Sequence, residues 1–132
     1  MSSGAVADPC VLVTAADVSA ALGVTVAPST SNFTGTYQIC SYTTPQDSAG
    51  DATVVIVLSR LIDKAGFDAN AKQSTGEIAP LPGVCQDAYV AGSKVYGWKN
   101  GTEVDASVDG MPAGGDPVAA VTKLVTGACA RL

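Results

Sequence analysis

The sequence predicts an α+β fold, with an antiparallel sheet of about five to six strands, three helices packed mainly on one face, and two disulfides. Three observations carry that expectation. Apolar residues recur at helical spacing near both ends of the chain, β-branched and alternating runs fill the middle, and four cysteines lie far apart. At 132 residues the chain is long enough for one hydrophobic core. Residues 8–132 are expected to form that single domain, behind a flexible N-terminal tether over residues 1–7.

The first helix lies in "DPCVLVTAADVSAALG" (8–23). Asp8 and Thr14 are both candidate caps, because a short side-chain oxygen satisfies the free N–H groups of a first turn. Thr14 with Asp17 fits the hydroxyl-x-x-acid pattern, Val18, Ala21 and Leu22 form an apolar stripe, and Gly23 supplies the stop. A Pro/Ser/Thr-rich loop is expected over 27–36. "TYQICSYTT" then alternates, with Tyr37, Ile39 and Ser41 on one face and Gln38, Cys40 and Tyr42 on the other. Residues 45–51 read as a turn. "ATVVIVLS" (52–59) is a β-branched run of the kind found in central strands. A weaker helix is expected over 63–75, with Asp63 as a possible cap, followed by a Pro/Gly-broken stretch that enters another strand.

"VYGWK-NG-TEVDASV" is the clearest local signal. Asn100-Gly101 between alternating segments predicts a two-residue type I′ turn, since both positions need positive φ. That turn sets Lys99 opposite Thr102, Trp98 opposite Glu103, and Tyr96 opposite Asp105. Val95, Gly97, Val104, Ala106 and Val108 then share the core face. The last helix opens with Asp116 as N-cap and Pro117 at its first position. Val118, Val121, Leu124 and Val125 stripe one side, and Cys129 falls near its end. The order of elements hints at two similar halves, each a helix followed by antiparallel strands.

Charge and composition exclude several functions. Seven Lys and Arg against 12 Asp and Glu give a formal charge of −5, and the basic residues are scattered singly. That is the wrong sign and arrangement for nucleic acid or an anionic membrane surface. No run is long and apolar enough to span a bilayer. Histidine is absent, which removes Ser-His-Asp and Cys-His chemistry. Ser93 and Lys94 are neighbours whose side chains point to opposite faces of a strand. The glycines of "GMPAGGDP" (110–117) lack the lysine and hydroxyl residue of a phosphate loop. No cofactor and no metal site are expected. The sequons at Asn32 and Asn100 are read as loop residues.

Four cysteines, Cys10, Cys40, Cys85 and Cys129, stand at long spacing with no C-x-x-C pair, which disfavours structural zinc and fits two disulfides in an oxidising compartment. Three connectivities are open on spacing alone. A polar, small-residue start, "SSGAVAD", reads like the tether that follows the lipid-bearing cysteine of an exported lipoprotein.

Asp8-Pro9-Cys10, Cys40-Ser41-Tyr42, and Leu81-Pro82-Gly83 followed by Ala88-Tyr89 together resemble a domain of small secreted actinobacterial lipoproteins, mostly catalogued as of unknown function. The resemblance covers most of the chain. It implies an extracytoplasmic α+β domain, anchored or secreted, with the first two cysteines joined, and it carries over no catalytic residues. Cys85 departs from the pattern, so the second disulfide is expected to be a local feature. With the two-part organisation, Cys10–Cys40 and Cys85–Cys129 are the expected pairs.

The candidate ligand-binding residues are Tyr96, Trp98, Glu103 and Asp105, which the hairpin register gathers on one face. A Trp/Tyr pair among acids suits stacking on sugar rings or holding cations. The structural alternative makes Trp98 a core anchor under a helix. Glu103 and Asp105, read as lying on an exposed strand face, have the spacing of a carboxylate pair. The expectation is a non-catalytic extracytoplasmic binding module of the bacterial cell envelope, for a small ligand or protein partner. A secreted inhibitor of an extracellular enzyme comes second, and a carboxylate-dependent hydrolase third.

Overall fold

Asp8 and Thr14, the two candidate caps, each start a helix of their own. The computed structural model describes residues 8–23, 25–26, 30–33, 37–44, 53–73, 78–110 and 116–132. The expected tether (1–7) and turn (45–51) lie outside them, as do parts of the 27–36 loop. Helix α1 spans Pro9–Leu12, with the Asp8 carboxylate accepting from the Cys10 N–H at 2.9 Å. Val13 is extended and breaks the helix, and α2 spans Ala15–Leu22. Thr14 and Asp17 form a reciprocal capping box, and Gly23 ends α2 at φ +75°.

The strands follow as β1 (Thr30–Phe33), β2 (Tyr37–Thr43) and β3 (Val54–Leu61); after helix α3 (Lys64–Gln73) come β4 (Ile78–Pro80), β5 (Asp87–Ala91), β6 (Lys94–Lys99) and β7 (Thr102–Asp109), and helix α4 (Pro117–Ala130) closes the chain. They form one antiparallel sheet in the order β1-β2-β3-β7-β6-β5-β4. Two meanders, β1 to β3 and β4 to β7, therefore join along β3 and β7. The architecture is the expected one. The short edge strands β1 and β4 fall in stretches read as loop or breaker, and bring the sheet to seven; Asn32 consequently sits on β1 rather than in a loop.

One sheet face carries the core. Val55, Val57, Val95, Val104 and Ala106 meet Val121, Leu124 and Val125 of α4, with Leu12 and Val18 of α1 and α2 beside them. The strand run at Val54–Leu61 is indeed interior: Val55 and Val57 are fully buried on this face, while Ile56 and Leu58 are half-buried on the other. Asp116 caps α4 by accepting from the Val118 and Ala119 N–H groups. At Gly97 a Cβ would stand 2.5 Å from Val125 Cγ1 and 2.7 Å from Cys85 Sγ, so only glycine lets α4 approach β6 this closely.

The disulfides are Cys10–Cys40, tying α1 to β2, and Cys85–Cys129, tying the β4–β5 connection to the end of α4. The residues of the Asp8-Pro9-Cys10 and Cys40-Ser41-Tyr42 motifs converge at the first of these. Tyr42 is fully buried, and its hydroxyl donates to the Val13 carbonyl where α1 ends, with the Pro9 carbonyl, which also accepts from the Val13 N–H, as a longer second acceptor. Burial, reinforced by the nearby charges of Asp8 and Asp17, pushes the Tyr42 hydroxyl well above its ordinary range, so it stays a donor. These motif residues are a staple.

Helix α3 lies apart from its fellows, on the opposite sheet face. Its one buried residue, Phe67, packs on Tyr89 with ring centroids 5.3 Å apart, and its first residue, Lys64, pairs with Asp87 of β5.

Candidate functional site

The β6–β7 hairpin sets the geometry of the candidate residues. Asn100 (φ +51°) and Gly101 (φ +85°) both adopt positive φ, as a type I′ turn requires. The register is the expected one, with Trp98 paired to Glu103 and Tyr96 to Asp105. All four side chains therefore project to the face opposite the valine core, the face on which Phe67 of α3 packs against Tyr89.

Their environments differ from the sequence expectation. Glu103 and Asp105 do not line an exposed strand face: they are 0% and 4% exposed. Alternation of apolar and polar residues on β7 reads as one wet face, but both carboxyl groups are buried there, beside Arg60 of β3. Glu103 meets Arg60 of β3 in a two-point contact, Nε to Oε2 and Nη2 to Oε1 at 3.1 Å each. Such fork-on-fork pairing suits a guanidinium and a carboxylate. Asp105 has one carboxyl oxygen, Oδ1, with no hydrogen-bond partner. Burial, then the adjacent Glu103 charge and a hydrogen bond between the two carboxyl groups, pushes Asp105 well above the usual carboxylate range, against smaller opposing effects of Lys94 and Arg60. Asp105 is thus the acid of the pair, the carboxyl whose protonated form burial favours.

The aromatic residues form a stack. Tyr96 lies parallel to Tyr89 across the β5–β6 pairing, centroids 4.5 Å apart and planes 13° apart, and Lys94 Nζ sits 4.8 Å from the Tyr96 ring centre. Phe67 of α3 closes the other end of the stack on Tyr89. Trp98 is half-buried, and its indole N–H donates to the Ile62 carbonyl at 2.8 Å, fixing the chain where it enters α3. Trp98 is therefore an anchor for that connection as well as a partly accessible ring.

Sequence reading assigned none of Arg60, Tyr89 and Phe67 to the candidate site. A signal existed for two of them. Pairing the run at Val54–Leu61 with β7 sets Arg60 opposite Glu103, and continuing the meander sets Tyr89 opposite Tyr96. Phe67 carries no comparable signal, because nothing in the α3 sequence says which sheet face it covers.

Two cavities of about 250 Å³ lie away from this cluster. One is a groove between α2 and α4 lined by Asp17, Ala20, Lys123 and Gly127. The other borders the second disulfide near Gln86, Lys99 and Thr126. Among the described residues no group of three or more Cys, Asp or Glu is placed to hold a metal ion, and no helix is long and apolar enough to cross a membrane. The two disulfides fit an oxidising, extracytoplasmic environment. The chain matches no protein-family model, no curated protein and no solved structure.

Proposed function

We propose that this chain is a non-catalytic, extracytoplasmic binding module of the bacterial cell envelope, secreted or lipid-anchored and akin to the small actinobacterial lipoproteins it resembles. Its ligand is a small envelope molecule, taken on the sheet face that carries Tyr96 and Trp98. The observation that carries this reading is the convergence on one face of partly accessible Tyr96 and Trp98 with a buried, incompletely bonded Asp105. An aromatic wall with a few convergent polar groups is the usual make-up of a small-molecule site. Against the hydrolase alternative stands the state of Glu103, which is fully buried and paired at both oxygens with Arg60, away from any substrate in solvent. The inhibitor alternative would place contacts on the loops at 27–36 and 45–51, which lie largely outside the described residues.

Trp98, the only tryptophan, is a built-in reporter. Titration with soluble envelope fragments, such as peptidoglycan muropeptides and arabinogalactan oligosaccharides, is expected to change its emission saturably, and Tyr96→Ala is expected to abolish the change. No saturable change with any fragment, or one that survives Tyr96→Ala, would count against this face.

A further inference from the structure

The chain between β4 and β5 is tied down by one covalent bond. Residues 81–86 form no helix or strand; Leu81, Val84 and Cys85 touch the margin of the core, while Pro82, Gly83 and Gln86 are exposed. Cys85 stands at φ +57°, in the left-handed region that a residue with a Cβ enters only at a cost. Among the described residues the only other non-glycine there is Asn100, whose turn requires it. Such an outlier persists only where its surroundings hold it, and outliers of this kind gather at functional sites. The bond to Cys129, at the end of α4, holds Cys85 in place. Opening that bond lets Cys85 leave the costly conformation, which favours the reduced form.

The bond can also be reached. Cys85 is half-buried, and both cysteines line the cavity of about 250 Å³ shared with Gln86, Lys99 and Thr126. Lys99 Nζ donates to the Cys129 carbonyl at 2.9 Å, bringing a positive charge to Cys129. The negative end of the α4 dipole opposes a thiolate there, and a neighbouring ammonium offsets it. Cys10–Cys40 differs: Cys10 lies in helix α1, Cys40 is fully buried, and neither cavity reaches the pair. Beside Cys85, the Gln86 N–H donates to the Trp98 carbonyl at 3.1 Å. The Gln86 side chain meets both the backbone N–H and the side-chain oxygen of Asn100 at 3.0 Å. The second disulfide therefore fixes the segment that pins the Trp98 end of the β6–β7 hairpin.

We propose that Cys85–Cys129 is an exchangeable disulfide, attacked through this cavity by a low-molecular-weight thiol, and that its opening frees residues 81–86 and loosens the Trp98 end of the hairpin. Cys10–Cys40 is the permanent bond. The attacking thiolate forms a new S–S bond to Cys85 Sγ, since Cys129 is only 3% exposed. The Cys85–Cys129 bond breaks, and Cys129 leaves as a thiolate near Lys99 and takes a proton from water. A second thiolate then attacks the external sulfur of the mixed disulfide and releases Cys85, which is protonated in turn. Two thiols are oxidised to one external disulfide, and their two electrons reduce the protein's bond. This chemistry stands whether or not Tyr96 and Trp98 hold a ligand.

Intact protein in a graded buffer of reduced and oxidised glutathione, quenched by alkylation and peptide-mapped, reads each bond separately. Without denaturant, Cys85–Cys129 is expected to open at least about tenfold faster than Cys10–Cys40, with the glutathione adduct on Cys85. Lys99→Gln should slow that opening at least about threefold and leave Cys10–Cys40 unchanged, whereas Lys99→Arg should restore the rate. On opening, Trp98 emission should shift and the amides of residues 95–100 should exchange at least about tenfold faster. Equal rates at the two bonds, as global unfolding gives, or earlier opening of Cys10–Cys40 overturns the proposal. An adduct on Cys129 overturns the direction of attack, and an unchanged rate in Lys99→Gln overturns the part given to Lys99. If that variant does not fold, the wild-type rates and the position of the adduct decide. Selective opening with unaltered Trp98 emission and amide exchange overturns the link to the hairpin.

Discussion

Asp105 illustrates how one side chain sets a pH dependence for the whole molecule. Burial favours the neutral form of its carboxyl in the folded protein, whereas in an unfolded chain the group ionises at about 4. Above that value the folded state binds the extra proton, so stability falls as pH rises toward the folded pKa. Asp105→Asn keeps a neutral side chain of the same shape and removes the linkage. Its urea midpoint is expected to exceed that of the wild type, by a margin that grows as pH rises above about 4. Asp17 works in the opposite sense. The Arg131 guanidinium beside it, at 2.5 Å, and the capping bonds from Thr14 hold its carboxyl down to about 2. Its contribution is present above about 4 and is lost as pH falls toward 2. Asp17→Asn should flatten the acid limb of the stability profile and cost about 1 kcal/mol at neutral pH through the weakened capping box. Gly97 makes the third residue-scale case. A methyl group there collides with both α4 and the second disulfide, so Gly97→Ala is expected to destabilise by about 1–3 kcal/mol in chemical denaturation.

Among the elements, the β6–β7 hairpin is written in its own turn residues, which is why its register was legible. Gly101→Val forces a β-branched residue into the left-handed region and should cost roughly 1–2 kcal/mol, read as a drop in melting temperature. The caps were equally legible, since Asp8, Thr14 and Asp116 act within three residues of themselves. Yet two adjacent caps meant two helices rather than one, and only the extended Val13 between them reveals it. The edge strands were hidden for another reason. β1 is Thr-Ser-Asn-Phe and β4 is Ile-Ala-Pro, neither alternating enough to declare itself, and each is held by the hydrogen bonds of one inner neighbour. The side chosen by α3 was the least legible feature of all. It has a single buried residue, and that residue packs on a tyrosine 22 positions away. The candidate site inherits this limit: its members could be gathered from register, whereas their burial could not.

At the scale of the whole molecule, each meander carries its own covalent staple. Cys10–Cys40 closes 30 residues within the first half, and Cys85–Cys129 closes 44 within the second. No disulfide crosses the seam between β3 and β7, which is held by the ladder from Val54↔Asp109 to Leu61↔Thr102 and by the valines beneath it. Loop closure restricts the unfolded chain only within each half, and each bond is expected to contribute about 2–4 kcal/mol. The two contributions should therefore behave as independent increments, because distant sites that share no partners add. Replacing Cys10 and Cys40 by alanine, or Cys85 and Cys129, should lower the unfolding free energy by comparable amounts, with the full replacement close to their sum. The first pair should still lose somewhat more, since Cys40 is buried beside Tyr42 and its removal also loosens the packing that positions the Tyr42 hydroxyl on α1. Equilibrium urea unfolding of the three variants reads this directly, and non-reducing peptide mapping checks the pairing. A cost of the full replacement far above the sum would show the two halves coupled through the seam; a cost far below it would show that the first cut had already released both.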